Sequence, residues 1–162
     1  MSFEFKPNEQ VEHAVRRIAR AEFRDLIAAL TGRRRFGRDK LVHDARKRLK
    51  KLRALVRLVR DAIGSKTYRR ENRALRDVGR AFSTARDAKV LVDSFDKLLA
   101  YFKAHVSPRS FGAIRRKLVA RRLELQKDAM ELGERVYGET PKAFVQRMGW
   151  YWETWRRDHA NP

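Results

Sequence analysis

Apolar side chains recur along most of this chain at intervals of three and four residues, the spacing that lines one face of an α-helix. From Asn8 to Leu30 the stripe is Val11, Val15, Ile18 and Leu26, with Arg17, Arg20 and Arg24 on another side. The segment Thr31-Gly-Arg-Arg-Arg-Phe-Gly37 breaks the pattern. A second stripe follows: Leu41, Val42, Ala45, Leu49, Leu52, Val56, Val59 and Ile63. It predicts a helix of roughly 37 Å, with Asp39 as N-cap and Gly64-Ser65 as its stop.

A third helix, about Lys66 to Phe82, turns Leu75, Val78 and Phe82 away from the face that carries its arginines. Thr84-Ala-Arg-Asp87 then fits a capping box, which predicts that a separate fourth helix opens there. Val90, Leu91, Phe95, Leu98, Leu99 and Phe102 would form its core face. Ser107-Pro108 and Thr140-Pro141 each place a capping residue before a proline, as at the first turn of a helix. They predict two further helices, about 108–136 and 141–157. Strand-like alternation is absent, and none of the four prolines interrupts a strongly periodic segment. The fold class is therefore all-α: a helical bundle of four main antiparallel helices plus one or two C-terminal helices. At 162 residues the chain has the size of a single domain, with a core bundle over about 8–105 and C-terminal helices over about 108–157.

Charge narrows the reading. Forty lysines and arginines face twenty acids, a formal +20, and such an excess repels itself unless an anion screens it. Nucleic acid, inorganic polyphosphate and an anionic membrane surface all qualify on composition. The chain has no cysteine, which excludes disulfides, thiolate zinc sites and cysteine nucleophiles and makes a reducing cytoplasm the expected compartment. The first residues carry no basic stretch followed by an apolar run, and no stretch of about 18 apolar residues occurs, so neither secretion nor membrane spanning is signalled.

The cations are sorted by helix face. With His43 at zero, Arg46, Lys47, Lys50, Arg53 and Arg57 fall within an arc of about 120°, opposite the apolar stripe of the same helix. Surface helices rich in lysine and arginine usually balance them with glutamate at i,i+4. Here His43 to Arg60 holds Arg46, Lys47, Arg48, Lys50, Lys51, Arg53, Arg57 and Arg60 against Asp44 alone. On the third helix Arg69, Arg73, Arg76 and Arg80 share an arc of about 60°. Arginine grips two phosphate oxygens with its planar fork and lysine adds a mobile point charge. Residues at i, i+3, i+4 and i+7 advance about 5 Å per turn, so successive turns meet successive charges of an extended ligand. His43, a weak base in line with strong ones, reads as a ligand contact, its other reading being a helix-terminal or packing histidine.

Other chemistry is poorly supported. Gly32-x4-Gly37-Arg38-Asp39 resembles a P-loop but has arginine and aspartate where lysine and serine or threonine belong, and no strand precedes it. His13, His43, His105 and His159 are scattered and form no metal-ligand pattern. Glu124, Asp128, Glu131 and Glu134 make an acidic stripe that could offer carboxylates to magnesium, but Arg121, Arg122, Lys127 and Arg135 stand beside it, as on a salt-bridged face. An enzyme of phosphoryl transfer needs metal ligands and a placed base or nucleophile in one pocket, so the expectation is a non-enzyme.

The ordered set His43-x-x-Arg46-Lys47-x-x-Lys50-x-x-Arg53, then Leu75-Arg76 and Arg86-Asp87, resembles the conserved histidine α-helical domain (CHAD) family. The likeness runs over about 8–105, including the arginine-rich first helix and Tyr68-Arg-Arg-Glu-Asn-Arg73. It implies a helical bundle that binds inorganic polyphosphate along a basic surface, with some members on polyphosphate granules, and it implies neither catalysis nor a cofactor. Sulfate or phosphate would occupy the same site. Carried to this chain, the implied contacts are His43, Arg46, Lys47, Lys50 and Arg53, with Arg73, Arg76 and Arg80. Arg86 matches the arginine of the Arg-Asp pair, its other reading being a first-turn cation beside a capping Asp87.

Members of that family typically hold two such bundles about a pseudo-two-fold axis, whereas the stretches 111–117 and around His159 supply no second stripe here. A homodimer would restore the missing half. Its motive in the sequence is the last predicted helix, where Phe144, Met148, Trp152 and Trp155 recur at helical spacing; packing back onto the same bundle is the other reading. The alternative function is a nucleic-acid-binding helical protein, although no helix-turn-helix, zinc finger or aromatic sheet for base recognition is present.

Overall fold

The computed structural model describes residues 4–30 and 37–137. Their regular elements are all helical: α1 (Val11–Leu30), α2 (Arg38–Leu58), the single-turn α3 (Arg60–Ile63), α4 (Ser65–Tyr101) and α5 (Gly112–Tyr137), with a 3-10 turn at Pro108–Phe111. The all-α reading holds for these residues. The predicted helix over 141–157, with its aromatic side chains, lies outside them, as does most of the basic segment after α1.

Cross-helix pairs fix the arrangement. Glu22 of α1 meets Lys51 of α2 while Asp25 meets Arg48; Arg46 of α2 meets Ser83 of α4 while Arg53 meets Asn72. Asp96 of α4 meets Arg115 of α5, while Phe82 lies against Gly133. Gly133 also abuts Leu30, and Phe23 packs on Tyr137 with ring centroids 5.5 Å apart. In each pair the numbers run in opposite directions, so α1, α2, α4 and α5 form a ring of antiparallel neighbours. All eight apolar residues assigned to the α2 stripe are buried, as are Val15, Ile18, Leu26, Leu75, Val78 and Phe82. Val11, assigned to the α1 stripe, is instead 55% exposed in the first turn of the helix.

Four expectations are corrected. The third and fourth predicted helices are one, α4, of 37 residues. Thr84 does not cap: its hydroxyl donates to the Arg80 carbonyl at 3.1 Å, and Ser83 does the same to Gly79 at 3.0 Å, a bond that side chains make inside a helix. Gly37, not Asp39, occupies the N-cap of α2. The Asp39 carboxylate accepts from Arg122 at 2.6 Å and from Gln126 at 2.7 Å, tying α2 to α5. The second helix ends at Leu58 rather than Ile63, and a turn at Val59 leads into α3. The first begins at Val11 rather than Asn8, which takes a left-handed φ of 61°. Gly64 stops α3 as predicted, at φ 75° and ψ 154°, a region open essentially to glycine.

The fourth wall of the bundle is thus α5, not the distal part of α4. At about 1.5 Å per residue α4 is roughly 55 Å long and α2 roughly 30 Å, so α4 outruns its partner. Among the described residues its last turns pack on the start of α5, where Asp96 meets Arg115 and Phe95 meets Phe111. Two helices bury one stripe apiece, so Val90, Leu91, Leu98 and Phe102, assigned to a core face, are exposed, while Phe95 and Leu99 are half-buried.

Candidate polyanion-binding groove

The antiparallel packing of α2 on α4 places two basic stripes side by side. Arg46, Lys50 and Arg53 from α2 and Arg76 and Arg80 from α4 line a groove of about 300 Å³, floored by Leu49 and Leu75, with Gly79 and Ser83 completing it. Among the described residues the lining has five cations and no carboxylate. Leu49 and Leu75 are fully buried, so the apolar stripe that builds the core also aims the cations beside it into the groove. Arg46 Nε donates to Ser83 Oγ at 3.1 Å and Arg53 Nε to Asn72 Oδ1 at 3.2 Å, two neutral partners that orient the guanidiniums without cancelling their charge. Arg76 also pairs with Asp77 at 3.0 Å.

His43 lies in an adjoining cavity, also about 300 Å³, lined among others by Arg86, Lys89, Asp39 and Asp93. Lys89 is bound to Asp93, and Asp39 is taken by Arg122 and Gln126. His43 and Arg86 are the exposed basic residues among the described lining of that cavity. Arg86 is therefore a mid-helix residue facing α2, not the first-turn cation that a break at Thr84 would have made it. Of the remaining candidates, Lys47, Arg57, Arg69 and Arg73 are exposed and line neither cavity.

The two flanks of α2 differ in electrostatics. Toward α1, Arg48 pairs with Glu22 at 2.7 Å and Asp25 at 3.1 Å, and Lys51 with Glu22 at 2.7 Å; the Glu22 side chain is only 4% exposed. Burial pulls the Arg48 guanidinium down, but the Glu22 hydrogen bond and the Glu22, Asp25 and Asp44 charges outweigh it, and its pKa ends above the ordinary arginine value. Toward α4, Lys50 and Arg80 have no carboxylate partner among the described residues. The acids that the α2 sequence lacks locally are supplied by α1, but to the wrong flank to neutralise the groove.

Sequence reasoning did not single out Ser83, Asn72, Gly79 or Lys89. Each is identified by its position across from α2, and a capping role assigned to Thr84 masked the continuity of the helix that carries them. On α5, Glu124 pairs with Arg121 at 2.7 Å and Glu131 with Lys127 at 3.7 Å, the salt-bridged face expected there.

No helix among the described residues is long and apolar enough to cross a membrane. No curated protein and no solved structure matches this chain. A family model described as CHAD domain matches residues 17–151, a span that includes both stripes of the groove and most of the sequence. The chain belongs to the CHAD domain family.

Proposed function

We propose that this chain binds inorganic polyphosphate in the α2–α4 groove and does not catalyse its turnover. The observation that carries the reading is the lining itself, which among the described residues has five cations in two facing rows and no carboxylate. Rows on both sides let charge-assisted bonds reach a chain of phosphates from two flanks, and the forked guanidiniums of Arg46, Arg53, Arg76 and Arg80 suit tetrahedral oxygens. The family's association with polyphosphate- and triphosphate-related functions supports the same ligand. A non-catalytic role is supported by Ser83, the hydroxyl of the lining. It donates to the Gly79 carbonyl and accepts from Arg46, and no histidine or carboxylate among the described residues lines the groove to take its proton. In cells the same groove would hold the protein on polyphosphate granules.

Replacing Arg46 and Lys50 by alanine should weaken polyphosphate binding by about 1.5–3 kcal/mol for each charge-assisted bond lost, with helicity unchanged. Leu49→Ala, at a fully buried position, should instead cost about 2–5 kcal/mol of stability. Isothermal titration calorimetry and urea unfolding separate the two effects; charge variants that bind like wild type would sink the proposal. Nucleic-acid binding shares the salt dependence of counterion release, so salt alone does not distinguish the two. Competition does: long-chain polyphosphate should displace duplex DNA and RNA, and the reverse order of affinity would favour nucleic acid.

A further inference from the structure

Helix α1 repeats, on the side turned away from the core, the spacing that marks α2. His13, Arg16, Arg17 and Arg20 stand at i, i+3, i+4 and i+7, as His43, Arg46, Lys47 and Lys50 do, and Arg24 continues the line. At about 100° per residue, His13, Arg17, Arg20 and Arg24 share an arc of about 60°. Ala14, Ile18, Ala19 and Phe23, all buried, occupy the rest of the helix. The stripe on α2 therefore has a counterpart in this chain.

The α1 stripe lines an open groove of about 710 Å³ together with Glu9 and Ala21, and no residue of it lines the α2–α4 groove. Among the described residues four arginines meet one carboxylate there. The acids of this region are engaged elsewhere or at the rim. Glu9 accepts from Arg17 at 2.8 and 2.6 Å, Glu12 pairs with Arg16 at 2.7 Å, and Glu22 holds Arg48 and Lys51. Asp25 lies 3.1 Å from Arg48 but 3.9 Å from Arg24, whose side chain is 66% exposed. Arg20 and His13 are exposed beside it. Arg20 and Arg24 are one helical turn apart, about 6 Å along the axis, so their forks can hold neighbouring phosphates of one chain.

We propose that the α1 groove is a second polyphosphate-contact site, with Arg20 and Arg24 as its principal ligands, so that one long chain engages the protein at two separate places. This rests on the reading of the α2–α4 groove as a polyphosphate site. Two weak contacts joined by one ligand bind far more tightly than either alone, which makes affinity depend on chain length.

Calorimetric titration of the full chain with tripolyphosphate counts the sites, and titration with long-chain polyphosphate reads their coupling. Wild type should take up two tripolyphosphates, and Arg20→Gln/Arg24→Gln one, with long-chain affinity reduced by about tenfold or more. Arg109→Gln/Arg116→Gln removes the same charge at the far end of the molecule and should keep both sites, while Glu9→Gln should tighten the α1 site. The proposal is overturned if Arg20→Gln/Arg24→Gln retains wild-type stoichiometry and long-chain affinity, or if the Arg109/Arg116 variant loses as much. Failure of the α2–α4 reading shows differently: Lys50→Gln/Arg80→Gln would then bind tripolyphosphate as wild type does.

Discussion

Gly79 and Gly133 have opposite surroundings. A Cβ added at Gly79 meets no atom within 4 Å, because the residue lines the α2–α4 groove. Alanine there should raise stability by up to about 1 kcal/mol through helix propensity alone. Gly79→Leu should weaken polyphosphate binding without removing a charge, by filling the space between the basic rows. At Gly133 an added Cβ comes 2.6 Å from Leu30 Cδ2 and 3.3 Å from Phe82 Cε2, both side chains being buried. Gly133→Ala should therefore cost about 1–3 kcal/mol by overpacking where α5 meets α1 and α4. Thermal unfolding of the three variants, with titration of Gly79→Leu, tests both statements; destabilisation by Gly79→Ala would show that the groove is not open. Neither glycine carries a sequence signal of its role, since each is one residue in a periodic helix and only the neighbouring helix distinguishes them.

At the scale of the element, α4 is where sequence and structure part. Thr84-x-x-Asp87 satisfies the pattern of a capping box, yet the hydroxyls of Ser83 and Thr84 bond back to carbonyls four residues earlier and the helix runs on. The pattern is compatible with either outcome. What decides is that Val78, Phe82, Ala85 and Val92, on both sides of the supposed break, are all buried along one continuous line. Were Thr84 a cap, Thr84→Ala would cost about 1 kcal/mol. As an exposed mid-helix residue it should leave far-UV circular dichroism unchanged and stabilise by about 0.5 kcal/mol. A loss of helicity would restore the two-helix reading. Continuity matters for the site, because one rigid helix carries Arg76, Arg80 and Arg86 past α2 in fixed register.

For the whole molecule, stability should depend on pH through carboxylates held by arginine at two distant places. Hydrogen bonds from Arg17, aided by the Lys6 amide, lower Glu9 from its ordinary 4.5 to about 2. Arg115, bound to Asp96 at 2.7 and 2.9 Å, lowers that carboxyl below its ordinary 3.8. Both groups bind protons less readily folded than unfolded. The stabilisation from Glu9 is fully present above about pH 4.5 and is lost as the pH falls toward about 2, and that from Asp96 is fully present above its ordinary 3.8 and is lost at lower pH. Urea unfolding across that window should show the midpoint falling with pH, and Glu9→Gln should flatten part of the slope; an unchanged slope in that variant would remove Glu9 from the explanation. The Asp96–Arg115 pair is solvent-exposed and the Glu9–Arg17 pair is half-buried at the surface, so the effect is a modest bias on a fold held by its core.

The helical class, the buried face of α2 and the basic stripes were legible in the sequence because each depends on the spacing of residues along one helix. Leu41 to Ile63 fall on the core face whatever lies opposite, and Arg46, Lys50 and Arg53 are set on one flank by the same rotation. The partners were not legible. That Asp39 reaches Arg122 and Gln126, that Glu22 and Asp25 neutralise Arg48 and Lys51 but leave the other flank charged, and that Arg53 meets Asn72 are relations between helices. So is the exposure of Leu91 and Leu98, whose spacing alone cannot show that no helix among the described residues covers them. Periodicity is a local property of the backbone, fixed by about 3.6 residues per turn; which face is covered, and which charge is cancelled, is settled only when the helices meet.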